Sequence, residues 1–277
     1  MKRACFLLVA MLAAAIGLSA EITLPSIISD NMVLQQKADA KLWGWGEPGE
    51  KIEIRTSWGK KVYSAQADAD GKWSVYVKTP GHCTGQWVKV SSGRTGETVE
   101  ISNVLVGEVW MASGQSNMEF KLNRVEEFKD ICKLPPNRNL RHFKIKNNYS
   151  AVPISELQGA WVTADRTTLG EFSAAGYFFA KKLHDTLNVP VGIVNASWGG
   201  TALECWMSRE SLAPFPETVA MGQKRLDALN SHPERLEKFL RANDAWAKKY
   251  GRKGSNPIRC ILISAYSSAT ISTNWSS

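Results

Sequence analysis

Two short segments of this chain carry residue types suited to nucleophilic chemistry. The first is Gly114-Gln115-Ser116-Asn117-Met118, directly after an apolar run of Val104, Leu105, Val106, Val109, Trp110 and Met111. Such a run suits a buried parallel strand. A small residue at its end can present Ser116 at the top of a sheet, where nearby backbone N–H groups can receive an oxyanion. A serine hydroxyl is a weak nucleophile and needs an adjacent base. The same residues also fit a plain helix start, with Ser116 as the cap and Glu119 in the first turn. The second segment is Asn195-Ala196-Ser197-Trp198-Gly199-Gly200-Thr201, after the apolar run Val191 to Ala196. Paired glycines let a backbone approach a ligand closely, and their N–H groups can complete an oxyanion hole. Taken alone, this segment also reads as an ordinary strand-to-helix turn. Both segments fall at the carboxyl ends of expected parallel strands, the edge where open α/β sheets bind ligands.

The elements that must position these segments follow from periodicity. Residues 22–102 read as all-β: Ile52, Ile54 and Thr56 alternate, as do Trp73, Val75 and Val77, and in part Trp87, Lys89 and Ser91. Turn signals separate them at Glu47-Pro48-Gly49-Glu50, Asp70-Gly71, Pro80-Gly81 and Ser92-Gly93. Short strands at this spacing suggest a β-sandwich over residues 21–103. From residue 104 the pattern changes to strand, helix and strand with short links, which implies a parallel sheet. The strands are expected near 104–112, 140–145 and 190–196. The helix is expected from Ser173 to Leu187, with Phe172, Ala175, Phe179, Leu183 and Leu187 on its apolar face. Residues 217–250 read as a polar helical stretch, with a Ser231/Glu234 capping box and Leu236, Phe239, Leu240 and Trp246 on one face.

The run Val106-Gly-Glu-Val-Trp-Met-Ala-Ser-Gly-Gln-Ser-Asn-Met118 resembles the nucleophile block of sialate O-acetylesterases, within the SGNH (GDSL-like) hydrolase superfamily. The run Gly192-Ile-Val-Asn-Ala-Ser-Trp-Gly-Gly-Thr-Ala-Leu-Glu-Cys-Trp206 resembles that family's glycine block. Similar agreement covers Leu24 to Gln35, Leu42-Trp-Gly-Trp-Gly46, Trp161-Val and Phe172-Ser-Ala174. The resemblance implies an α/β fold: an incomplete SGNH-hydrolase-like α/β/α unit over residues 104–277, preceded by the β-sandwich region. It implies Ser116 as nucleophile, an oxyanion hole from the N–H groups of Ser116 and Gly199 or Gly200, and substrate contacts from Gln115 and Asn117. It further implies acetate release from O-acetylated sialic acid or a related glycan through an acetyl-enzyme, with no metal and no cofactor.

Family members usually continue into a Trp-Tyr-Gln-Gly-Glu-like segment and an Asp-x-x-His-like segment that supplies the base. This sequence contains neither. None of His82, His142, His184 and His232 follows an aspartate by three residues, and each is expected to be structural or solvated. From Cys260 to Ser277 there is no charged residue. The expectation is therefore a chain truncated or frameshifted near residue 257, with weak turnover and low solubility.

Met1 to Ala20 reads as a signal peptide, with Lys2 and Arg3 ahead of an apolar Phe6 to Ile16. A periplasmic or secreted protein follows, with no membrane attachment after cleavage. Removing Lys2 and Arg3 lowers the formal charge from +8 to +6. The remaining charges are scattered, and no nucleic-acid motif is present. Cys83, Cys132, Cys205 and Cys260 remain after cleavage, and their wide spacing suggests neither a zinc site nor a redox pair. A second reading is a carbohydrate-binding or remnant protein without turnover, stacking sugars on Trp43, Trp45, Trp58, Trp73 or Trp87. At such spacing most of these suit core or turn positions. A nucleotide-binding fold is disfavoured because no G-x-G-x-x-G follows either strand.

Overall fold

The computed structural model describes residues 22–148, 156–231 and 234. The expected signal peptide, His232, Cys260, the uncharged tail and the apolar face at Leu236 to Trp246 lie outside the described residues. Among the described residues ten strands are formed: β1 (Val33–Gln35), β2 (Asp39–Trp45), β3 (Lys51–Thr56), β4 (Tyr63–Gln66), β5 (Lys72–Lys78), β6 (Cys83–Ser92), β7 (Thr98–Gly114), β8 (Asn137–Lys144), β9 (Trp161–Ala164) and β10 (Val191–Ser197). The helices are α1 (Ser116–Glu119), α2 (Phe128–Ile131), α3 (Ala174–Leu187), α4 (Arg209–Leu212) and α5 (Pro216–Asn230).

The strands form one mixed sheet, in the order β4-β3-β6-β7-β10-β8-β9, with β1 also paired to β7; β2 and β5 form a separate antiparallel ribbon. Alternation explains the ribbon and its facing strands: Leu42, Trp73 and Val77 from the ribbon share one core with Ile52, Ile54, Val88 and Val90 from the sheet. Against the expectation of a purely parallel second sheet, β9 pairs antiparallel on the far edge of β8.

The strand expected to begin at residue 104 begins at Thr98 and runs unbroken to Gly114. Its first part pairs antiparallel with β6 and parallel with β1, and its last part pairs parallel with β10. One strand therefore serves both the β-rich region and the α/β region. A buried arginine reinforces that join. The Arg141 side chain on β8 donates to the carbonyls of Arg138 (3.0 Å), Asn31 (2.8 Å) and Asn103 (3.5 Å). Carbonyl acceptors offset the cost of burying its N–H groups.

Ser173 caps α3 by accepting the Gly176 N–H at 3.0 Å, and Asn188, left-handed at φ 53°, ends it. The buried face matches the expected one at Phe172 and Leu183, which pack in the core with Ile193, and differs elsewhere. It carries Ala174, Gly176, Tyr177 and Ala180, while Ala175, Phe179 and Leu187 are exposed. Gly176 sits where α3 lies closest to β10: a Cβ there would be 3.3 Å from Ile193 Cγ2. Phe179 packs edge-on against Trp110, with ring centroids 5.1 Å apart.

Candidate active site

The parallel pairing of β7 and β10 places the two chemically interesting segments side by side. Ser197 pairs with Gly114, and the Trp198 N–H donates to the Gly114 carbonyl at 2.9 Å, carrying the ladder one residue past the strand. Gly114 then turns the chain at φ 132°, a conformation side chains rarely adopt. Ser116 begins α1 and is exposed, as are Gln115 and Asn117.

Gly199 lies directly against the serine. A Cβ built on it would be 3.5 Å from both Cα and Cβ of Ser116 and 2.7 Å from Glu119 Oε2. A side chain there would displace the Glu119 carboxylate. Gly200 follows at φ 82°, and the Thr201 hydroxyl accepts from Trp206 Nε1 at 2.8 Å and donates to the Trp198 carbonyl at 2.9 Å. The structure therefore brings together Ser116 and the glycine turn, as the spacing of the two segments implied.

The hydrogen bonds within the site are specific. Gln115 Oε1 accepts from the Ser116 hydroxyl at 3.0 Å and from its N–H at 3.3 Å. The Gly199 N–H donates to Glu119 Oε2 at 2.7 Å. Glu119 Oε1 is 3.5 Å from Asn147 Nδ2 on the segment after β8. Two of the N–H groups suited to an oxyanion thus hold side-chain oxygens in this state.

Beneath the glycine turn runs a buried polar chain. Lys144 Nζ donates to the Ser197 carbonyl at 2.8 Å and lies 3.0 Å from the Ser197 hydroxyl. That hydroxyl donates to Asn195 Oδ1 at 2.5 Å. Asn195 Nδ2 in turn lies 3.2 Å from His142 Nε2, so the neutral ring accepts there. His142 is stacked on Phe172 at 4.5 Å, and burial, aided by the Lys144 charge, pushes its pKa down to about 3. It is held neutral as an acceptor.

None of the three described histidines bonds to Ser116. His142 pairs at the level of Ile193 and Trp110, well below the strand ends. His184 Nδ1 contacts the Val189 carbonyl at 2.7 Å near the end of α3. The start of α3 is tied to the nucleophile segment by Ala174 N–H to Phe120 O and Leu122 N–H to Phe172 O. His184 is ten residues further along that helix, about 15 Å away. The His82 N–H donates to Gln36 in the β-rich region.

Glu119 and Lys144 escaped the sequence reading as site residues. Glu119 stood out only as a first-turn acid, although its offset of three from Ser116 puts both on one helical face. Lys144 sat at the end of an expected strand, with nothing local to connect it to Ser197.

Residues 106–230 match a family model described as carbohydrate esterase, sialic acid-specific acetylesterase. The chain is 30% identical to a mouse sialate O-acetylesterase over 204 residues, covering 68% of this chain and 38% of the relative. It is 31% identical to the human sialate O-acetylesterase over 204 residues, covering 68% of this chain and 39% of the relative. The crystal structure of a carbohydrate acetylesterase from Xanthomonas citri superposes with a TM-score of 0.65 at 36% identity, covering 69% of this chain and 43% of that one. The chain thus spans well under half the length of these relatives. The matched segment contains both the end of β7 and the glycine turn, and together with these relatives it shows that the chain belongs to the sialic acid-specific acetylesterase family of carbohydrate esterases.

Proposed function

We propose that this protein is a serine esterase that removes O-acetyl groups from sialic acid or a related sugar. The observation that carries this is the approach of Gly199 to Ser116, at the ends of two adjacent parallel strands. Ser116 Oγ would attack the acetyl carbonyl while a base accepts its proton. The tetrahedral intermediate would place its oxyanion against the Ser116 N–H and a donor from the Gly199-Gly200 turn. Collapse expels the sugar oxygen, which takes up a proton and leaves acetyl-Ser116; water then releases acetate and restores the hydroxyl. Gln115 now accepts from Ser116 and would have to turn away for attack, which suits it to contact substrate, with Asn117 beside it. The base is neither His142, buried as an acceptor, nor His184, at the far end of α3.

In the same proposal residues 21–103 are a β-sandwich unit ahead of an SGNH-like unit, and the protein is exported. The shared core of the β2-β5 ribbon and the β3-β6 strands supports the first part. For the second, the support is the apolar stretch Phe6 to Ile16 behind Lys2 and Arg3.

Acetate release from O-acetylated sialic acid, and hydrolysis of a chromogenic acetyl ester, would test the proposal. Ser116→Ala should reduce kcat/KM by about 10³-fold or more while the far-UV spectrum is kept. Equal hydrolysis by the wild type and Ser116→Ala would overturn it. Sugar binding with no Ser116-dependent acetate release would favour the binding-protein alternative.

A further inference from the structure

We infer that Glu119 is a positioning residue of this site, acting through Gly199: its carboxylate locks the glycine turn onto the nucleophile turn and keeps the Gly199 N–H as a structural donor. The inference rests on the esterase reading above and deepens it.

Glu119 and Ser116 share α1, one helical turn apart, so the glutamate moves with the nucleophile. Its Oε2 accepts the Gly199 N–H at 2.7 Å across eighty positions of sequence. Its other oxygen faces Asn147 Nδ2 at 3.5 Å, on the segment leaving β8. One half-buried carboxylate therefore ties together the chain ends that follow β7, β8 and β10. The space beside Gly199 is occupied by the Glu119 carboxylate on one side, with Ser116 in van der Waals reach on the other.

A carboxylate acceptor makes a hydrogen bond roughly twice as strong as a neutral one. For the Gly199 N–H to serve an oxyanion it would first have to leave that bond, which cancels most of what a donor contributes. Gly199 is thus required for its lack of a side chain and for its place, and the second oxyanion donor falls to another group around the turn. The opposite side of the turn is fixed independently, by Lys144 on the Ser197 carbonyl. A turn held on both flanks keeps its distance from Ser116, and small errors there are costly because a misplacement of about 1 Å can lower a rate about 100-fold.

The test uses the full chain with Glu119→Ala and Glu119→Gln, each assayed for chromogenic acetyl ester hydrolysis and for backbone amide exchange over residues 197–201. Glu119→Ala should lower kcat about tenfold or more with KM within about twofold. It should also speed amide exchange at Gly199 about tenfold or more, with little change in thermal midpoint. Glu119→Gln keeps an acceptor oxygen and should recover most of both. A rise in kcat for Glu119→Ala would show that the carboxylate blocks an oxyanion donor, and would overturn the inference. Unchanged kcat and unchanged exchange would overturn it as well. A wild type without Ser116-dependent turnover would sink the esterase reading instead, and the exchange measurement would still decide whether Glu119 holds the turn.

Discussion

The middle and the far end of β7 live under different conditions. From Val104 to Gly107 every residue is buried, with β6 on one side and β1 on the other. From Glu108 to Gly114 the strand pairs with β10, and Trp110 and Met111 are 45% and 41% exposed. The middle is an anchor, held by buried contacts. The upper end is a presenting arm whose last residues must leave room for a ligand. A single strand can serve both purposes because burial stabilises the anchor while the arm borrows its rigidity. Regions that carry chemistry are commonly drawn from the less stable parts of a fold.

The contrast can be broken first at the anchor. Leu105→Ala removes a side chain only 2% exposed and should cost about 2–5 kcal/mol in urea unfolding. Met111→Ala in the arm should cost under about 1 kcal/mol. Equal costs at the two positions would erase the distinction. At the arm, Gly199→Ala should act in the other direction, leaving stability nearly intact while lowering the rate. Its new Cβ would meet Glu119 Oε2 at 2.7 Å, so the carboxylate must give up its bond to the turn. A fall of about ten- to a hundredfold in kcat is expected for ester hydrolysis. A variant with wild-type turnover would show that the approach of the two turns is not needed.

The smallest effect concerns acid. His142, with its pKa near 3, refuses a proton that the unfolded chain accepts near pH 6.5. The unfolded state thus binds more protons between those values, and this histidine's contribution to stability is full above about pH 6.5 and lost as the pH falls. The loss should approach about 1.4 kcal/mol per pH unit for one proton. Urea midpoints measured from pH 7 down to pH 4 should fall less steeply for His142→Gln than for the wild type. Parallel slopes would mean that the imidazole is protonated in place.

Much of this was legible in the sequence where one local signal sufficed. The alternation around Ile52, Trp73 and Trp87 marks β3, β5 and β6, although β6 buries Val88 and Val90 instead, and the apolar runs at 104–111 and 191–196 mark the parallel pair. The adjacency of Ser116 and the glycine turn followed from strand ends feeding one edge. The continuity of β7 did not, because Ser102 and Asn103 look like a break and only the pairing with β6 below and β10 above shows the strand crossing it. The helix face was partly misjudged because hydrophobicity favours Phe179, whereas Gly176 sits where the helix lies closest to β10. Glu119 with Gly199, and Lys144 with Ser197, join positions far apart in sequence, which no window along the chain can see.

The unbroken course of β7 also sets a phase. Side chains alternate across a strand, and each residue advances it by about 3.3 Å. Inserting or deleting one residue between Asn103 and Gly107 would therefore be read at the far end as a half-turn and a displacement. With the anchor held by β6 and β1, Ala112 would exchange its inward place for that of Met111 or Ser113, and Ser116 would slip against Gly199 by about one residue's rise. A length change well away from Ser116 would thus mistime the site as surely as a substitution within it.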